Sequence, residues 1–171
     1  MPSKGKRGSG EARTRCAVIC GIIYACIGFF IRIGVEDPYT FLHTLGVGAF
    51  MPPLWIFNLM SVFWYFISGA AAGVTIGIVA CGKLGSCSEK NLYRGGMLFI
   101  VLFFLSLIWY PLFFSTKLFL SLLISLLALA SCVLCAFFWR TLSTFVFISL
   151  CATGLWQFYV LLINLSVILR N

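Results

Sequence analysis

The chain has 171 residues, 62% of them hydrophobic and 9% charged, with 12 Lys+Arg against 4 Asp+Glu and a net charge of +8. Soluble domains carry about 25% charged residues, so a water-soluble fold of this composition lacks the groups to cover its surface. A soluble enzyme, a disordered tail and a disulfide-stapled secreted module are excluded, and the length suits one compact membrane domain.

Residues 1–15 hold Lys4, Lys6, Arg7, Arg13 and Arg15. Such a basic tail beside an apolar run orients insertion and attracts anionic headgroups. It does not mark a nucleic-acid binder, because no aromatic-studded soluble module accompanies it. A spanning helix needs roughly 20 apolar residues. Runs at 16–35, 54–81, 96–114, 118–139 and 142–169 meet that need. The first exceeds a signal-peptide core of about 7–15 residues and no small-x-small cleavage site follows it. The expectation is an all-α, integral membrane bundle of five transmembrane helices over 16–171, behind a cytoplasmic tail at 1–15.

The connection 36–53 opens with Glu36-Asp37-Pro38 and continues with Tyr39, Phe41, Leu42, Leu45, Val47, Phe50 and Met51. Those apolar groups predict a segment folded over the bundle as a cap, the alternative being one that lies in the lipid interface. Residues 82–95 form a polar loop. Ser115–Lys117 and Arg140-Thr141 are tight junctions, which makes the flanking helices antiparallel neighbours. Lys+Arg at 4, 6, 7, 13, 15, 83, 90, 94 and 140 fall on one side, against 32, 117 and 170 on the other. That bias predicts a cytoplasmic amino terminus. With no organelle-targeting presequence evident, a bacterial cytoplasmic membrane is the expected location.

The spans lack acid–base chemistry. Glu11, Glu36, Asp37 and Glu89 all lie outside them, which disfavours a proton-coupled transporter or a charged-ring channel. The only histidine, His43, falls in the cap segment. Eight cysteines include a Cys132-x-x-Cys135 spacing, but no second pair or histidine supports zinc. Packing between helices is the favoured reading. No metal and no obligatory cofactor is expected.

Aromatic surface is abundant, at 17% of the chain. Trp156, Gln157 and Tyr159, with Asn164 about two turns on, place rings beside polar groups at membrane depth. Trp109-Tyr110-Pro111 and Tyr65 do the same. Flat walls with few hydrogen-bonding groups suit a planar apolar ligand, though bundle packing explains each residue singly. Gly69, Gly73 and Gly77 repeat every fourth residue, a close-packing stripe for a helix of the same chain or of a homodimer partner.

Met51-Pro52-Pro53-Leu54-Trp55-Ile56-Phe57, followed by Tyr65 and Gly69, resembles the P-P-x-W-x-F…Y…G opening of the second helix in the TspO/MBR family. That family comprises bacterial tryptophan-rich sensory proteins and mitochondrial translocator proteins, also called peripheral benzodiazepine receptors. Trp109-Tyr110-Pro111-Leu112-Phe113-Phe114 is similar to its third-helix signature. Trp156, Tyr159, Ile163-Asn164 and Asn171 match its fifth-helix pattern. Departures are visible: the second-helix tryptophan falls on Ser61, the third-helix asparagine on Ser106, a Pro-Tyr pair on Ala152-Thr153, and a first-loop tryptophan on Phe50.

The resemblance implies a membrane receptor or carrier for porphyrin, haem or another flat hydrophobic ligand, with a homodimer as its assembly. A sterol is a further candidate, although no Lys or Arg follows Tyr159 within five residues to complete the sterol-contact pattern. Some members are said to degrade porphyrin in light, which leaves an enzyme as the alternative. A partner-binding protein without a ligand is another. The expected ligand residues are Phe50, Pro52, Trp55, Phe57, Tyr65, Ser106, Trp109, Trp156, Tyr159 and Asn164.

Overall fold

The computed structural model describes residues 4–34, 52–82 and 89–170, with side chains from Gly10 onward. It contains five helices: α1 (Lys4–Ile33), α2 (Leu54–Ala80), α3 (Glu89–Phe114), α4 (Leu118–Trp139) and α5 (Thr144–Arg170). Each has a stretch long and apolar enough to cross a membrane. Among the described residues there is no strand.

Helix bounds depart from hydropathy bounds where polar residues continue a helix. α1 begins within the basic tail, and its apolar stretch is Gly10–Ile33. α3 takes in Glu89–Gly95, with Glu89 in its first turn, where a carboxylate faces the positive end of the helix dipole. α5 starts at Thr144, since Leu142 belongs to the turn and its N–H meets the Trp139 carbonyl at 3.0 Å. Pro53 caps the start of α2, its carbonyl accepting from Ile56 (2.9 Å) and Phe57 (3.1 Å). A proline costs little at a helix start, where an N–H would be unpaired anyway. Two residues past the end of α2, Gly82 sits at φ +62°, a left-handed position that favours glycine.

The helices form a closed ring in the order α1, α2, α5, α4, α3, with α3 returning to α1. The interior combines a hydrophobic core, with Phe57, Trp109, Phe113, Leu150 and Ile163 fully or nearly buried, with a set of buried polar groups, while the outside is apolar. Arg32, Ser61, Thr75, Ser121, Ser125, Ser149, Thr153, Gln157 and Asn164 are buried, while Phe30, Phe63, Phe104, Phe119, Leu155 and Leu169 are exposed. Such a distribution is stable only where the surrounding solvent is hydrocarbon. The buried hydroxyls keep their hydrogens bonded to the preceding turn, as in Ser61 to the Phe57 carbonyl (2.7 Å) and Thr75 to Ala71 (3.0 Å).

Two seams hold the ring. Gly69, Gly73 and Gly77 of α2 face α1: added Cβ atoms would strike the Cys20 and Cys16 carbonyls and the Arg13 backbone. In return, Gly21 and Gly28 of α1 seat the Phe66 and Tyr65 rings. The glycine stripe is therefore occupied by α1 of the same chain. On the opposite side, α3, α4 and α5 pack through small residues. The Cys132 thiol donates to the Leu150 carbonyl (3.3 Å) and Cys135 to Gly95 (3.4 Å). Gly95 leaves room for the Trp139 indole, whose Nε1 donates to Leu92 (3.2 Å).

Candidate functional site

A cavity lies inside the ring between α1, α2, α3 and α5. Along α1 it reaches from Tyr24 to Arg32, a rise of about 12 Å at 1.5 Å per residue. Its volume is about 40 Å³, room for a few waters. Drug-sized ligands occupy pockets of about 300–1,000 Å³. The open slot expected from the sequence is thus nearly closed in this conformation.

Aromatic rings close it. Trp64 stacks on Trp156 (centroids 6.2 Å, planes 24° apart), Trp156 meets Phe57 (5.5 Å), and Phe57 meets Trp109 (6.1 Å). Trp109 in turn stacks on Phe113 at 5.0 Å. Polar groups run beside the rings. The Tyr65 hydroxyl donates to the Ser106 carbonyl (2.7 Å), Gln157 Nε2 donates to Ser106 Oγ (2.8 Å), and the Ser68 and Thr153 hydroxyls pair at 3.0 Å.

At one end sits Arg32, 9% exposed. Its guanidinium carbon lies 4.7 Å from the Tyr110 ring centroid, 5.6 Å from Tyr65 and 6.0 Å from Phe57, a cation among ring faces. One terminal nitrogen donates to the Asn58 carbonyl at 3.2 Å. Three cavity-lining residues carry buried side-chain nitrogens without a hydrogen-bond partner: Arg32 Nε, Trp64 Nε1 and Trp109 Nε1.

The structure brings Tyr65, Ser106, Trp109 and Trp156 together on the cavity wall, with Phe57 behind them. Trp55 is not there. It is 64% exposed, on the outward face of α2. Trp64 takes that role instead. It lies three residues after Ser61, on the same helix face, and both line the cavity.

Asn164 is fully buried but ties α5 to α4: Ser121 Oγ donates to its Oδ1 at 2.6 Å, and its Nδ2 donates to the Val160 carbonyl at 3.3 Å. Tyr159 packs on Trp156 (5.5 Å) without lining the cavity. Pro52 precedes α2 and lines nothing there. Phe50, His43 and most of the cap segment lie outside the described residues. Sequence reasoning also missed Arg32, counted only for membrane orientation, although a cation in the last turn of a spanning helix is a signal for a buried partner.

A larger hollow, about 620 Å³, is an apolar furrow on the outer side of α4 and α5, flanked by the exposed Val133, Phe137 and Phe158. It has no unpartnered buried polar atom among the described residues. No group of three or more His, Cys, Asp or Glu able to hold a metal occurs among the described residues.

No curated protein and no solved structure matches the chain. The model of the TspO/MBR family matches residues 16–170, nearly the whole sequence. With five membrane-crossing helices closed around an aromatic cavity, this protein is an integral, multi-pass membrane protein that belongs to the TspO/MBR family.

Proposed function

We propose that the protein is a membrane receptor or carrier for a planar hydrophobic ligand of the tetrapyrrole class, porphyrin or haem, with a sterol as the second candidate. The observation that carries this reading is the indole stack of Trp64 and Trp156 on the wall of an interior cavity. Two parallel indoles offer a ring-sized apolar face, and separating them opens the space a flat guest needs. In this reading the segment 36–53 caps the cavity, the amino terminus is cytoplasmic, and the setting is a bacterial inner membrane. A homodimer would use a surface other than the α1-filled glycine stripe.

Tryptophan-fluorescence quenching by protoporphyrin IX in lipid nanodiscs tests the reading. Saturable quenching is expected, weakened about tenfold by W64A/W156A and unchanged by W55A. Equal quenching in all three proteins contradicts it.

The same tryptophan pair favours a second reading, light-dependent porphyrin breakdown. Illumination of the loaded protein then yields a defined product and W64F/W156F slows it. Bleaching no faster than in empty nanodiscs removes that activity.

A further inference from the structure

The buried polar atoms around the cavity are unbalanced. Acceptors on its wall are paired: the Ser106 carbonyl takes the Tyr65 hydroxyl, and Ser106 Oγ takes Gln157. The unpartnered atoms are N–H groups, one each on Arg32, Trp64 and Trp109. Leaving a buried donor unpaired is costly, and more so when it is charged. Arg32 is in addition a cation at the end of a membrane span, with three rings and a carbonyl around it. Ring faces offset part of its desolvation, but they supply neither a negative charge nor a lone pair for Nε. Among the described residues no carboxylate pairs with it, and the one ion pair, Arg15 with Glu11, is elsewhere.

We propose that Arg32, with the Trp64 and Trp109 N–H groups, is the headgroup subsite of the cavity and takes the carboxylate of an amphiphilic acid. The proposal rests on the planar-ligand reading and deepens it by fixing the chemical class: an apolar body with at least one ionised acid, rather than a neutral sterol or an amine. A guanidinium binds a carboxylate through two parallel N–H bonds. Indole N–H groups, which donate but cannot accept, discriminate in the same direction. The apolar body then lies along the Trp64–Trp156 wall and the acid faces the α1 carboxyl end. Two sources share this chemistry, a tetrapyrrole with acid side chains and a simple fatty acid.

The test compares protoporphyrin IX with its dimethyl ester, and dodecanoate with methyl dodecanoate, on wild type and R32Q in nanodiscs, read by tryptophan fluorescence. The expected result is a preference of about tenfold or more for acid over ester in wild type, lost in R32Q while ester binding is retained. Acid and ester binding equally overturns the headgroup subsite but leaves the planar-ligand reading standing. If neither porphyrin binds, the planar-ligand reading fails, and Arg32-dependent dodecanoate binding alone still supports the subsite. Binding of none of the four overturns both. Should R32Q fail to fold, the wild-type acid-to-ester ratio decides. Glu36 and Asp37 follow α1 directly, so E36Q/D37N completes the set. An acid preference present in wild type and kept in this variant supports the proposal. A preference that emerges only in the variant assigns Arg32 to the chain's own carboxylates and overturns it.

Discussion

At the Arg13 end, α1 and α2 meet backbone to backbone; at the Arg32 end the same two helices hold rings and a cation between them. The first half uses Gly69, Gly73 and Gly77, where a single Cβ would collide with the α1 main chain. The second half uses Tyr65 over Gly28 and the cation–ring cluster around Arg32. Between helices in lipid, apolar area alone gives no driving force, so close backbone contact supplies dispersion instead. The glycine half fixes the pair, and that allows the other half to carry unpaired donors and a cavity, features that cost stability. The candidate site thus lies beside a close-packed seam.

The largest effect is expected from breaking the seam. G73L drives a branched side chain into the Cys16 carbonyl and should destabilise the protein by about 3 kcal/mol, read as a loss of thermal stability in detergent with the monomer itself unfolding. If G73L instead only dissociates an oligomer, leaving the monomer's melting temperature unchanged, the stripe is a partner surface and the comparison falls. Next comes N164L on the far side of the ring. It removes the buried Ser121–Asn164 pair, while the Ser121 hydroxyl keeps the Leu118 carbonyl at 2.9 Å, so the cost is about 1 kcal/mol. Because Asn164 lines no part of the cavity, ligand affinity should be unchanged in the folded fraction, and a selective loss of affinity would show that the sequence-based placement of Asn164 in the pocket was correct after all.

A comparable effect is expected from G28A, which presses on the Tyr65 ring. It should weaken ligand binding severalfold through displacement of the Tyr65–Ser106 bond, at about 1 kcal/mol. Unaltered binding would mean that the Tyr65 ring has no part in shaping the cavity. The smallest effect belongs to W55A, on the outer surface, where stability should change by no more than about 0.5 kcal/mol and ligand quenching should persist.

The spans were legible in the sequence because the hydrocarbon core demands about 20 apolar residues whatever the helix packs against. The family motifs were legible too, and with them Tyr65, Ser106, Trp109 and Trp156. What stayed hidden was rotation. A helix apolar on all sides does not announce which face turns inward, so Trp55, two residues past Pro53, was put forward and Trp64 was passed over. Only the docking of Gly69, Gly73 and Gly77 on α1 decides between them. Asn164 was misplaced for a similar reason: its partner, Ser121, is 43 residues away, and no local pattern records it. Arg32 lies inside the first span, but the charge count uses it only to orient the bundle, whereas tyrosine faces and a backbone carbonyl hold it against the interior. The near-closure of the cavity, a property of ring packing, had no signature in composition at all.

The most direct measurement is a structure of the protein determined in lipid with protoporphyrin IX bound. This account predicts the macrocycle inside the ring, with the Trp64 and Trp156 indoles parted and an acid group at the Arg32 guanidinium. Porphyrin lodged in the outer furrow of α4 and α5, with the indole stack undisturbed, would contradict it.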